Sequence, residues 1–195
     1  MAIDPGPTES GWCILEPDGQ AGRIRECGSG TPNQELERVV VSRKLDGIDA
    51  LAIEQVMSYG RPVGASVFET VYWSGRFSRS WSGSPGDVLR IPFVDVKMAM
   101  CHDSRAKESH VRQAVRDRFP RTGGGKRPEI GTKRKPGPLY QVTGHAWSAL
   151  AVALTAAQKS TVCCDTVYDD ESDYRHHRAA AHGGAERPDS PWPRI

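Results

Sequence analysis

Two acidic residues stand where acids are seldom found. Asp4 ends a short apolar run, Ala2-Ile3-Asp4, and the turn-forming pair Pro5-Gly6 follows it. Glu54 interrupts a second apolar run, Leu51-Ala52-Ile53-Glu54-Gln55-Val56. Both runs have the composition of buried strands. A carboxylate within such a strand needs a charge partner or a metal ion. If the two strands are neighbours, Asp4 and Glu54 converge, and converging carboxylates are what hard divalent cations such as Mg²⁺ bind. Taken singly, each acid has a plainer role: a turn-capping aspartate for Asp4, a buried salt bridge for Glu54.

A second chemical signal is segregated charge. The chain has 195 residues and a formal net charge of +2. Between Lys97 and Lys135, however, twelve Lys or Arg face four Asp or Glu, whereas from Asp165 onward four basic residues face seven acids. A basic block in a near-neutral chain suits a phosphate-bearing partner, and the plainer alternative is a solvated surface.

These groups need a scaffold. Residues 2–4, 11–16 and 22–28 read as three strands joined by turns at Pro5-Gly6 and Pro17-Asp18-Gly19. Thr31 to Asp46 has helical spacing, with Thr31 as N-cap before Pro32 and with Leu36, Val39 and Val40 on one side. A buried strand, Ala50–Val56, carries Glu54. Ser66–Phe77 reads as a helix with Val67, Val71 and Phe77 facing the core, and Ser78–Asp87, including Trp81, as a loop. A strand follows within Val88–Val96. A helix capped at Asp103 or Ser104 runs to about Phe119. It carries Arg105, Arg112 and Arg116 on one side and Val111, Ala114, Val115 and Phe119 on the other. Arg121–Thr143 is basic, rich in Gly and Pro, and expected to be a mobile loop. Gly144–Lys159 is a final helix. With three residues before Asp4, the first strand is short, so either residues upstream extend it or it is truncated.

The expected architecture is α/β, a mixed central sheet flanked by helices. One domain is expected over residues 1–160 and a disordered tail over 161–195, where apolar residues thin out. No apolar run is long enough to span a bilayer and no signal peptide precedes the first strand, so a cytoplasmic protein is expected. The five cysteines show no metal-binding spacing.

With these segments in place, the chain resembles the RuvC-type Holliday-junction resolvases of the RNase H-like superfamily. Four segments carry the resemblance: IDPGPTESGW at residues 3–12, AIEQV at 52–56, the block from Val96-Lys97 to His110-Val111, and Gly144 to Ala153 with its Ala-Leu-Ala run. Trp147 and the lysines before Pro136-Gly137-Pro138 are most similar to phage or prophage members. The resemblance implies a metal-dependent, structure-selective endonuclease, working as a homodimer in a bacterial cytoplasm and hydrolysing branched DNA by paired nicks.

Carried over residue by residue, the resemblance makes Asp4, Glu54 and His145 catalytic and metal-binding, with Mg²⁺ or Mn²⁺. A fourth ligand position, ordinarily Asp, is Ser148 here. His145 and Ser148 are three apart and share one helix face. A neutral hydroxyl is a poorer Mg²⁺ ligand than a carboxylate, so a binding protein that does not cleave, or an RNase H-like nuclease with another substrate, stands as the alternative. His145 is either a ligand or a general base. The expected DNA contacts are Lys97, Arg105, Lys107, Arg112 and Arg116, then Lys133, Arg134 and Lys135. Tyr59, in the loop Met57-Ser58-Tyr59, is expected to stack in the junction.

Overall fold

The computed structural model describes residues 1–165 other than 17, 19–21, 59, 61 and 83–87. Five strands and five helices follow one another: β1 Ala2–Asp4, β2 Glu9–Glu16, β3 Arg23–Pro32, α1 Asn33–Leu45, β4 Leu51–Gln55, α2 Ala65–Ser82, β5 Val88–Pro92, α3 Phe93–Cys101, α4 Glu108–Arg118 and α5 Ala146–Asp165. The strands form one sheet in the order β3-β2-β1-β4-β5. β1 runs antiparallel to β2 and parallel to β4, and β4 runs parallel to β5. The expected mixed sheet is therefore present. Among the described residues no helix is long and apolar enough to cross a membrane.

Strand alternation divides the core in two. Ala2, Ala52 and Ile91 face α3, α4 and α5. Ile3, Leu51 and Ile53 face α1 and α2, where Leu36, Val40, Phe77 and Trp81 fill the layer. The pairing of the short β1 is extended at its N-terminal end by Met1. The Met1 ammonium donates to Ala50 O at 2.8 Å, and Met1 O accepts the Ala52 N–H at 2.9 Å.

Several elements differ from expectation, each for a local reason. Thr31 lies within β3 and caps no helix; its hydroxyl accepts the Trp12 indole N–H at 3.0 Å, and α1 begins after Pro32. α2 runs on through Trp81, which is only 5% exposed and completes the core that Phe77 begins. Val71 is 52% exposed and faces outward with Phe68 and Tyr72, so α2 has an apolar stripe that the core does not use. Phe93 and Val94, read as strand, open α3, with Pro92 in an extended conformation at its N-cap. α4 starts only at Glu108, because Asp103 makes a turn instead of a cap, its carboxylate accepting the Arg105 N–H at 2.8 Å. α5 extends to Asp165, past the expected end at Lys159. The rest of the expected tail, 166–195, lies outside the described residues.

The segment 121–143 is the largest difference. It is a set of tight turns packed on the domain, with Leu139 and Val142 in the core. Gly123 donates to Pro128 O at 2.8 Å and Gly137 to Ile130 O at 2.9 Å. Its glycines serve close backbone approach: a Cβ on Gly131, at φ +80°, would lie 2.2 Å from Gly137 N. Beneath the turns Glu129, 3% exposed, takes the Arg116 guanidinium, with Nε at 2.7 Å, and Arg121 approaches to 3.8 Å. Removing one partner of a buried pair leaves an uncompensated charge. Glu129→Ala is expected to cost about 3 kcal/mol and to speed amide exchange across 121–143. Thermal melting and hydrogen exchange check this. An unchanged melting temperature would mean that the pair does not anchor the segment.

Candidate functional site

β1 and β4 run parallel with Ile3 beside Ile53, so Asp4 and Glu54 stand side by side at the carboxyl ends of the two strands. That edge of an α/β sheet is where ligands gather. On the other side of β1, Asp4 is paired with Gly11 of β2. A Cβ at Gly11 would lie 2.4 Å from the His145 backbone, so the missing side chain lets the Gly144–His145 turn lie against the strand. Ser29 of β3 accepts the His145 N–H at 2.8 Å and fixes that turn. His145 is the residue before α5, and its carbonyl accepts the Ala149 N–H at 3.2 Å. Its Nδ1 comes 3.4 Å from Asp4 Oδ2, with the ring 66% exposed.

The electrostatics describe an acidic pocket short of positive charge. Burial raises the pKa of Asp4; the His145 charge and hydrogen bonding from His145 and Ser148 oppose this, and Glu108 adds to it. Glu54 is pushed up to about 8, first by burial, then by Asp4 and Glu108, with no opposing group. Asp4, His145 and Ser148 are thus brought together, and Glu54 joins them through its repulsion with Asp4. Glu108, exposed at the start of α4, adds to the negative charge felt there, a contribution the sequence did not single out. An acid in the first turn of a helix ordinarily complements the helix dipole, and its position among basic neighbours gave no contrary sign.

Among the described residues no three His, Cys, Asp or Glu side chains are gathered tightly enough to hold an ion as they stand. The donor set nonetheless suits a divalent cation. Glu54 is a largely buried carboxylate whose neighbours all disfavour its charge, which a cation at the Asp4 side would reverse. Mg²⁺ would take the carboxylates and water, and Mn²⁺ accepts the imidazole more readily.

The basic residues fall into two groups. Arg116 turns inward to Glu129, and Arg112 lies over the Trp147 ring at 4.5 Å. Arg105 precedes α4. The expected stripe of Arg105, Arg112 and Arg116 is therefore not one helix face, since the helix starts later than its spacing suggested. Lys107 is the N-cap of α4, and Lys97 lies over the Phe93 ring at 5.0 Å. Lys133, Arg134 and Lys135 are exposed at a turn closed by the Thr132 N–H donating to Lys135 O at 3.0 Å. Tyr59 lies outside the described residues.

No protein-family model matches the chain, and no curated protein sequence does. Its fold does match solved structures. The Thermus thermophilus RuvC structure is 23% identical, with a TM-score of 0.55 over 83% of this chain and 94% of that one. A second structure, "T. thermophilus RuvC in complex with Holliday junction substrate", is 20% identical, with a TM-score of 0.56 over 83% of this chain and 93% of that one. The chain has a RuvC-like fold.

The raised Glu54 pKa has a definite sign. Between about 4.5, its ordinary value, and about 8, the folded protein binds a proton that the unfolded chain has released. Stability of the metal-free protein therefore falls as pH rises through that window. In EDTA, Glu54→Gln is expected to match the wild type near pH 4 and to exceed it above pH 8, by on the order of 1–3 kcal/mol. Parallel melting curves for the two proteins across that range would remove the electrostatic account.

Proposed function

We propose that the protein is a metal-dependent endonuclease that hydrolyses phosphodiester bonds in branched DNA, Holliday junctions foremost, in the cytoplasm of a bacterial host that carries it on a phage. The observation that carries this reading is the meeting of Asp4, His145 and Ser148 beside Glu54, at the carboxyl edge of a sheet whose fold matches a resolvase solved with its junction.

In this reading Asp4 and Glu54 hold the ion, with His145 as a further ligand or as a base. A bound Mg²⁺ or Mn²⁺ would supply charge at the scissile phosphate and acidify the attacking water. Asp4 faces His145 Nδ1 and so favours the tautomer with its proton on Nδ1, which leaves the Nε2 lone pair for a metal or for the water's proton. Ser148 contributes a hydroxyl that can orient water but adds no charge.

DNA would be held by Lys97, Arg105 and Lys107 near the α3–α4 turn and by Lys133, Arg134 and Lys135 at the 132–135 turn. Arg112 and Arg116 act through Trp147 and Glu129. The outward stripe Phe68, Val71 and Tyr72 on α2 supports a homodimer, because apolar side chains at i, i+3 and i+4 on a solvent face suit a partner helix. Two sites in one dimer would give paired nicks. Ser148 favours a second reading, a junction-binding protein that does not cleave.

The deciding experiment uses labelled four-way junction, duplex and RNA–DNA hybrid with Mg²⁺ or Mn²⁺. Symmetric nicks in the junction are expected, with cleavage lowered by about 10³-fold or more in Asp4→Asn and Glu54→Gln while junction binding persists. Binding without cleavage in either metal would select the second reading, and no affinity for any branched DNA at low salt would defeat both. Replacing Lys133, Arg134 and Lys135 together by Ala should weaken binding to all sequences alike. It should also lower the slope of log affinity against log salt by about 3. An unchanged slope would put the DNA elsewhere.

A further inference from the structure

We propose that Cys13 and Cys27 form a reversible disulfide across β2 and β3 when the protein meets a hydroperoxide, and that the bond loosens the seat of His145. The two cysteines are direct partners in the antiparallel register, in a regular stretch between two irregularities of the ladder. They lie on one face of the sheet. Cys13 is fully buried in the core layer that α5 covers, and Cys27, half-buried, packs against the same cluster. Residues directly opposite on antiparallel strands hold their Cβ atoms about 4.5–5.5 Å apart. A disulfide needs about 3.5–4.5 Å. A movement of about 1 Å therefore closes the bond without breaking the strand pairing.

The oxidation balances in two steps. The Cys27 thiol, the more accessible of the two, takes an oxygen atom from hydrogen peroxide, giving a sulfenic acid and one water. The Cys13 sulfur then attacks the Cys27 sulfur; the S–S bond forms, and the sulfenic hydroxyl leaves with the Cys13 proton as a second water. Burial pushes the Cys13 thiol up to about 12 and raises that of Cys27. Thiolate is scarce at both, so the reaction is slow, and proximity rather than acidity selects the pair. The bond acts on the segment before α5. As a thiol, Cys27 donates to Gln141 O at 3.2 Å, four residues before His145. A disulfide sulfur has no hydrogen to donate. Two residues along the same strands stand Gly11, against the His145 backbone, and Ser29, which accepts the His145 N–H. Drawing Cys13 and Cys27 together thus disturbs both supports of that turn.

The test uses the full chain in EDTA carrying Cys101→Ala, Cys163→Ala and Cys164→Ala, so that Cys13 and Cys27 are the only thiols. After exposure to hydrogen peroxide, a non-reduced digest is expected to contain the Cys13 peptide joined to the Cys27 peptide, and dithiothreitol should restore both thiols. Adding Cys13→Ala should instead leave a sulfenic acid on Cys27 that dimedone captures. In the oxidised protein, amide exchange across 141–145 should quicken by roughly 10-fold, the scale of one lost hydrogen bond, and slow again on reduction. If circular dichroism shows the triple variant unfolded, the same digest is made on the natural chain, where the 13–27 link should outnumber every other. Cys27 driven to sulfinic acid with no link would overturn the disulfide. So would both thiols remaining intact under conditions that consume those of the urea-unfolded chain. A link with exchange across 141–145 unchanged would overturn its action on His145. None of these readouts needs DNA or a metal, so the outcome stands apart from the nuclease reading.

Discussion

The parallel register of β1 with β4 is the constraint on which the site depends. It sets two carboxylates side by side at the end of a sheet, one on a strand of three residues. The arrangement is unfavourable by itself. Glu54 meets only burial and like charge, which push its pKa up to about 8. In the metal-free protein a hydrophobic residue or a paired ion at that position would relieve the strain. The sheet holds the repulsion because β1 is fixed on both flanks, by β2 on one side and β4 on the other, with the Met1 backbone extending its pairing.

The second demand is that a residue 141 positions away along the chain meets Asp4. Backbone contacts, rather than side-chain packing, achieve this. Gly11 leaves room on β2, Ser29 on β3 binds the His145 N–H, and Gly144 adopts φ +44° to make the turn. The imidazole is thus aimed from its main chain, while the ring stays largely exposed. In the proposed reading, that combination would suit a side chain that reaches both an ion and a substrate, since the anchor restricts the ring's origin and leaves its plane free to adjust.

What was legible in the sequence follows from this division. Asp4 and Glu54 stood out because an acid in an apolar run is locally anomalous, and the alternation of β1, β4 and β5 needs only short-range pattern. His145 and Ser148 came from the family resemblance, with spacing showing only that they share a face. Ser29 and Gly11 were not legible, because their roles exist only across strand and helix contacts between distant segments. Val71 was assigned to the core because periodicity reports an apolar stripe without saying which stripe is covered. Phe93-Val94 looked like strand through β-propensity, and tertiary packing of Val96 and Met100 made it helix. The segment 121–143 was misread because glycine marks mobility and close packing alike; only the near contact of Gly131 with Gly137 separates the two.

Charge around the pocket is divided between structural and exposed groups. Arg112 and Arg116, which the basic block offered as phosphate contacts, are used within the protein, one on Trp147 and one on Glu129. Their engagement fixes α4 from both ends of its inward face, against α5 and against the 121–143 turns. Lys133 and Arg134 stand exposed in the 121–143 segment that Glu129 ties to α4 through Arg116. Asp4 and Glu54 are gathered at the sheet edge, and Lys133 and Arg134 are exposed on a turn closed by backbone hydrogen bonds. A polyanion approaching such a surface is attracted by the rim and repelled at the centre, unless a cation lies there. In the proposed reading, the repulsion that destabilises the metal-free site would also oppose DNA at the centre until a metal is bound, so the register of β1 and β4 would bear on both.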